Sequence, residues 1–277
     1  MTFLLAPAHW NQQFRKGLSM KKLYCLGAVL VLLLICGMSY VSLQQAAPNH
    51  FSREVCYTAD FDGMQVEVYP QRSAEQDYLV YDHFILGLNG AYLTKDWTWN
   101  AGYLYEDGDT SEAPQIDYAD INQDGRKEII FIFYDGINRG TSVLYEDVYV
   151  LSAEGKDYAV ADPLLYLQDH SSSTVSLTET DIVIDLSVDQ KPYRIRASKA
   201  DFGNPSIEAT GASVHYGDMV IYRVQDDRLI AEVPFFIFAS GTVGCYRLQY
   251  GEVDNAYQIV SATCETYLDA AQFTMQE

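Results

Sequence analysis

Ile182, Ile184, Leu186 and Val188 alternate with Val183, Asp185 and Ser187, and after Asp189-Gln190-Lys191-Pro192 the alternation resumes at Tyr193, Ile195 and Ala197. A period of two places one apolar set on one face of a strand, and a turn cluster between two such runs makes a hairpin. The arrangement recurs twice. Met219–Val224 turns at Gln225-Asp226-Asp227 into Leu229–Phe238, and Tyr246–Tyr250 turns at Gly251–Asn255 into Tyr257–Ala262. Hairpins in succession demand antiparallel pairing, so the body is predicted to be mainly β, with its hairpins in a sandwich, an open barrel or a propeller-like arrangement. The pattern does not choose among these. Short helices are expected only over Asp162–Gln168 and Thr266–Phe273.

One segment breaks this pattern. Leu23 to Leu43 is an uncharged run of 21 residues directly after Lys21 and Lys22, long enough as an apolar helix to span ~30 Å of bilayer. The basic flank predicts that it stays inside and that everything after about residue 44 lies outside. Gly37-Met38-Ser39 would serve as a cleavage site, so residues 20–43 are read as either a signal peptide or a membrane anchor. Residues 1–19 precede a conventional Met20-Lys21-Lys22 start and are expected to be an untranslated leader. Residues 44–54 read as a linker, and residues 55–277 as one extracytoplasmic β domain. Residues 1–47 hold four basic residues and no acidic ones, so the net charge of −20 conceals a body at −24. A body this acidic has no basic surface for a phosphate backbone, which excludes nucleic acid as a partner.

Three cysteines, Cys56, Cys245 and Cys264, fall in the body, where an exported location permits oxidation. They allow one disulfide and one leftover thiol. A turn spread over Gly251–Asn255 would leave Cys245 and Cys264 about four residues out of opposition, roughly 13 Å at strand rise. A bridge between them would therefore need a bulge.

Chemistry concentrates in Ile116–Gly136, IDYADINQDGRKEIIFIFYDG. Asp120, Asn122, Asp124 and Glu128 occupy positions 1, 3, 5 and 9 of a loop, and Arg126 at position 7 offers its backbone carbonyl. Oxygen ligands at alternating positions converge when the chain curls, and Gly125 permits the bend. This is a donor set for a hard cation, and Ca2+ in a structural role is the expected one. An EF-hand would need a bidentate carboxylate at position 12, where Phe131 stands, and a helix where Ile129–Phe133 reads as a strand. The pattern Asp-x-Asn-x-Asp-Gly-x-x-Glu followed by apolar strand residues resembles the VCBS and FG-GAP repeats, the calcium-loop hairpins of integrin-like propellers and of many exported bacterial proteins. Gly140-Thr141-Ser142 and Glu146–Val150 are similar to the turn and strand that follow such a loop. The resemblance covers about 20 residues closely. It implies a calcium-stabilised binding or structural module, secreted or held in the membrane by one N-terminal helix, with a cell-surface protein or glycan as partner and no catalysis. Asp60-Phe61-Asp62-Gly63 with Glu67 is a misspaced second copy lacking a ligand, and the combined Phe-Gly…Gly-Ala-Pro element that names the family is absent.

Trp97, Trp99, Tyr103 and Tyr105 alternate along KDWTWNAGYLYED. A continuous strand places the four on one face, either as a core row or as a surface on which sugar rings stack. The second option belongs to the alternative function, a carbohydrate-active enzyme or sugar-binding protein. No hydrolase, phosphate-loop or metalloprotease motif supports catalysis, and His83, His170 and His215 stand alone in sequence. Asp107-Gly108-Asp109 and Asp226-Asp227 read as solvated turns.

Overall fold

A computed structural model of the protein describes residues 51–73, 78–103, 113–134, 144–202, 213–237, 242–268 and 272–275, all within the unit Asn49–Glu277. The expected N-terminal helix, the leader, and most of the linker lie outside the described residues, as do Tyr105 and Asp107–Asp109. Among the described residues no helix is long and apolar enough to cross a membrane.

The first strands are β1 (Tyr57–Phe61), β2 (Met64–Arg72), β3 (Tyr78–Leu88), β4 (Ala91–Lys95) and β5 (Trp99–Tyr103), joined in one antiparallel sheet with β4 and β5 both paired to β3. Next come β6 (Gln115–Ala119), β7 (Glu128–Tyr134), β8 (Leu144–Ser152) and β9 (Asp157–Val160), then α1 (Pro163–His170). The strands β10 (Ser171–Leu177), β11 (Asp181–Val188) and β12 (Lys191–Ser198) form a second sheet. They are followed by β13 (Val214–Tyr216), β14 (Met219–Val224), β15 (Leu229–Ile237), β16 (Thr242–Val253), β17 (Ala256–Thr266) and β18 (Gln272–Met275).

All three predicted hairpins are present. Their turns are two residues long, at Asp189-Gln190, Asp226-Asp227 and Asp254-Asn255, and every one of these six residues has φ between 50° and 62°. Positive φ at both central positions matches the twist of the flanking strands, and Asp and Asn tolerate it best. The alternation also maps onto burial as expected: Ile182, Ile184, Leu186 and Val188 on β11 and Tyr193, Ile195 and Ala197 on β12 are buried, while the intervening residues are less so.

The largest sheet closes on itself. β14 pairs with β15 on one side and, in parallel, with β8 on the other, and β17 pairs in parallel with β9. The strands β8, β14, β15, β16, β17 and β9 thus form a ring, from which β6 and β7 extend beside β8. Two cores result. Ile129, Phe131, Phe133 and Leu151 face the β1–β5 sheet, together with Val66, Val68, Phe84 and Leu86. Ile130, Ile132 and Val150 point the other way, into a core shared with β11, β12 and the ring strands. β7 is covered on both faces, which explains why its sequence EIIFIFY is a continuous apolar run and not an alternating one.

Three expectations are revised. The third hairpin turns at Asp254-Asn255, so Gly251, Glu252 and Val253 belong to β16. From this turn, unbroken pairing would set Cys245 opposite Cys264. A bulge at Gln249/Tyr250, where Val260 is the extra residue, shifts the register so that Cys245 faces Glu265 and Cys264 faces Tyr246. Opposed residues share a face, so the two thiols lie on opposite faces of the sheet. The bulge separates the pair instead of joining it, and all three cysteines of the body are free. Second, Asp162 does cap a helix, accepting from the N–H groups of Leu164 and Leu165 at 2.7 and 3.2 Å, with Pro163 in the first position. Where a helix is expected over Thr266–Phe273, none of the described residues of that range is helical. Thr266 ends β17, and Phe273 pairs with Ile195 as β18 adds to the open edge of β12. That edge supplies hydrogen bonds a short helix would have to find alone. Third, part of the linker is docked: the Ser52 N–H donates to the Gln71 side chain at 2.7 Å, which donates back to the Ser52 carbonyl, and Phe51 packs edge-on against Tyr69.

Candidate functional site

The Asp120–Glu128 loop joins β6 to β7, and Ala119 pairs with Glu128 across its base. The loop leads into a strand, with Phe131 wholly buried. Gln123 and Gly125 hold φ of 62° and 87°, the left-handed steps that curl the chain. Asp120 Oδ1 and Asn122 Oδ1 both accept from the Asp124 N–H at 3.0 Å, so two of the predicted donors converge on one atom. Asp120 Oδ2 accepts from Gly125 N–H at 3.0 Å, and Asp124 Oδ1 from Arg126 N–H at 2.7 Å. Glu128 departs from this ring. It turns beneath the loop and accepts from Ile121 N–H at 3.1 Å. Among the described residues no three His, Cys, Asp or Glu side chains converge closely enough to hold a metal as they stand. Each loop carboxylate is held by backbone N–H groups. An ionised carboxylate has lone pairs left over after one or two such bonds, and the donors are all oxygen, as Ca2+ prefers.

Glu128 and Lys95 are the buried charged residues of the described chain. Lys95 is ion-paired with Asp157. Glu128, at 2% exposure, forms no ion pair among the described residues. Burial pushes its carboxyl up to about 7, offset in part by the Ile121 N–H and the Tyr257 phenol, with Asp124 and Asp120 adding to the rise. The Tyr257 hydroxyl faces Glu128 without reaching hydrogen-bond geometry and is the one buried side-chain polar atom without a partner among the described residues. Its ionisation is driven upward by burial first and by Glu128 and Glu252 next. Beside the loop opens a cleft of about 420 Å3, lined by Tyr118, Asp124, Lys127, Glu128, Glu154 and Tyr158.

The raised Glu128 carboxyl has a consequence for stability. The folded state keeps its proton to higher pH than the unfolded chain, so this contribution is complete below the unfolded value near 4.5 and is lost as pH climbs through about 7. In calcium-free buffer the wild type should lose melting temperature between about pH 5 and about pH 8 relative to Glu128→Gln, which has no proton to release. Parallel melting profiles for the two proteins would count against a buried Glu128.

Of the aromatic row, Trp97 and Trp99 are both buried. Trp97 stacks on Tyr149 at 4.3 Å and Trp99 on Tyr81 at 5.3 Å, and both contact Phe133. Their faces are covered by protein, which removes them from the ligand-stacking set and corrects that expectation. The Tyr103 backbone pairs with Tyr78, and its side chain is outside the described residues. The misspaced Asp60–Glu67 segment is a plain hairpin turn between β1 and β2. His83, His170 and His215 lie on separate elements: His83 beside Asp82, His170 stacked on Tyr166, and His215 within 2.8 Å of Ser213. A second cleft, also about 420 Å3, includes Glu146 and Asp162, but these carboxylates already accept from Tyr222 N–H and from the start of α1.

Glu252 enters the site unannounced by the sequence. Its Oε2 accepts from Asn122 Nδ2 at 2.6 Å across 130 residues of chain. No family model, curated protein or solved structure matches the chain.

Proposed function

We propose that the body is a calcium-stabilised, extracytoplasmic binding or structural module of the VCBS or FG-GAP kind, without catalysis. It is secreted or held at the membrane by the Leu23–Leu43 segment, and it engages a cell-surface protein or glycan. The cation is held by Asp120, Asn122, Asp124, Glu128 and the Arg126 carbonyl, and it pins the turn from which β7, the strand shared by both cores, begins. The observation that carries this reading is the buried, unpaired Glu128 beneath a loop whose Asp120 and Asn122 oxygens already point at one atom. Burying a carboxylate without a counter-charge is costly, and a divalent cation supplies one. A mainly β body, with one sheet closed into a ring, suits a rigid module that presents loops.

Melting with calcium and with chelator tests the reading. A ligand that binds only the folded state stabilises it by RT ln(1 + [L]/Kd), about 2.7 kcal/mol at a hundredfold excess over Kd. Millimolar calcium should raise the melting temperature, and Asp124→Ala should abolish the rise. A wild-type transition indifferent to calcium would remove the proposal.

A further inference from the structure

The loop is not the whole of the site. Glu252 and Tyr257 are directly opposed on the β16–β17 hairpin, two residues either side of its turn. Each reaches a different predicted ligand. Glu252 accepts from the Asn122 amide nitrogen at 2.6 Å, while the other end of that amide, Oδ1, accepts from Asp124 N–H. An amide bonded at both ends cannot flip without losing both bonds, so Glu252 fixes the Asn122 oxygen toward the centre of the loop. Tyr257 is fully buried, and its unpartnered hydroxyl is aimed at Glu128. A phenol in that position has an O–H to offer a carboxylate oxygen and can hold the Glu128 side chain in place.

We infer that the opposed pair Glu252 and Tyr257 belongs to the cation site as positioning residues, so that a bound divalent cation ties the β6–β7 loop to the β16–β17 hairpin. This rests on the calcium reading of the loop. It goes beyond it by making the site a cross-link between segments that are distant in sequence. Partners that orient first ligands influence affinity nearly as strongly as the ligands do. The cation then does more than order its own turn: it holds the ring strands against the strand that separates the two cores.

The experiment uses the full-length protein and measures Ca2+ affinity by competition with Tb3+, whose luminescence nearby tyrosines sensitise. Glu252 is exposed, so Glu252→Ala should leave calcium-free melting unchanged while weakening Ca2+ binding roughly tenfold. Glu252→Gln, which can still accept from Asn122, should recover most of that loss. Tyr257→Phe should weaken binding as well. Calcium should slow amide exchange in residues 250–258 as well as 120–128 in the wild type, and only in 120–128 in Glu252→Ala. Wild-type affinity in Glu252→Ala and Tyr257→Phe, with binding lost in Asp124→Ala, would overturn the cross-link and leave the loop site standing. Absence of binding in the wild type, or undiminished binding in Asp124→Ala, would overturn both.

Discussion

Trp99→Ala should cost ~3–5 kcal/mol of folding stability, the range for emptying a buried aromatic site. Trp99 is 1% exposed. Its ring lies against Tyr57, Tyr81 and Phe133, at centroid distances of 5.9, 5.3 and 5.3 Å. These neighbours belong to β1, β3 and β7, so the cavity would open between two sheets, neither of which can close it alone. The indole nitrogen also donates to the Tyr134 carbonyl at 2.7 Å, and losing that donor adds the cost of an unsatisfied acceptor, ~1–3 kcal/mol where water cannot reach it. Trp99→Phe should fall between, retaining ring contacts but not the hydrogen bond. Urea unfolding reads both. The sugar-stacking alternative makes the opposite forecast, with stability retained and glycan binding lost. A change within about 0.5 kcal/mol, as for an ordinary surface substitution, would place Trp99 outside the core.

That tryptophan also shows where the sequence stops being informative. Alternation put Trp97 and Trp99 on one face, and they share one. Whether that face meets solvent or another sheet depends on β7, some thirty residues later, and no local pattern encodes it. The hairpins were legible because half-buried strands repeat with period two and their turns carry Asp, Asn and Gly at the positions that need positive φ. The closure of the ring was not, since it relies on two short parallel contacts, β8 with β14 and β9 with β17. The strand at Gln272–Met275 was missed because its reason is the open edge of β12. The candidate site divides in the same way. Asp120, Asn122 and Asp124 were readable because their geometry is local, within five residues. Glu128 was identified as a ligand type, but its burial beneath the loop is a tertiary fact, and Glu252 and Tyr257 arrive from a hairpin more than a hundred residues on. The only sequence trace of them is their placement about a turn that fixes the two as opposed neighbours.

Gly244→Ala is expected to cost on the order of 3 kcal/mol, toward the upper end for overpacking a filled core. Gly244 sits in β16 between Phe235 of β15 and Thr266 of β17. A Cβ there would lie 2.1 Å from the Glu265 carbonyl oxygen and 2.8 Å from Phe235 Cζ. Neither neighbour can yield cheaply: the carbonyl is backbone within a strand, and the Phe235 ring is wholly buried. Relief would require β16 and β17 to separate, breaking ladder bonds at the end of the hairpin where Cys245 and Cys264 lie. Gly251→Ala, on the same strand, is the matched control. Its Cβ would meet the two methyl groups of Val260 at 3.1 and 3.2 Å, and Val260 is about half exposed and free to turn aside. Its loss should stay near ~1 kcal/mol, the ordinary cost of a mild clash. The comparison also tests the bulge. In the bulged register Thr266 stands opposite Gly244 and the Glu265 carbonyl lies against it. If Gly244→Ala proves no worse than Gly251→Ala, the strands pair without that bulge, which would set Cys245 opposite Cys264. Thiol counting on the unfolded protein would then find one reactive cysteine in the body where the bulged register requires three.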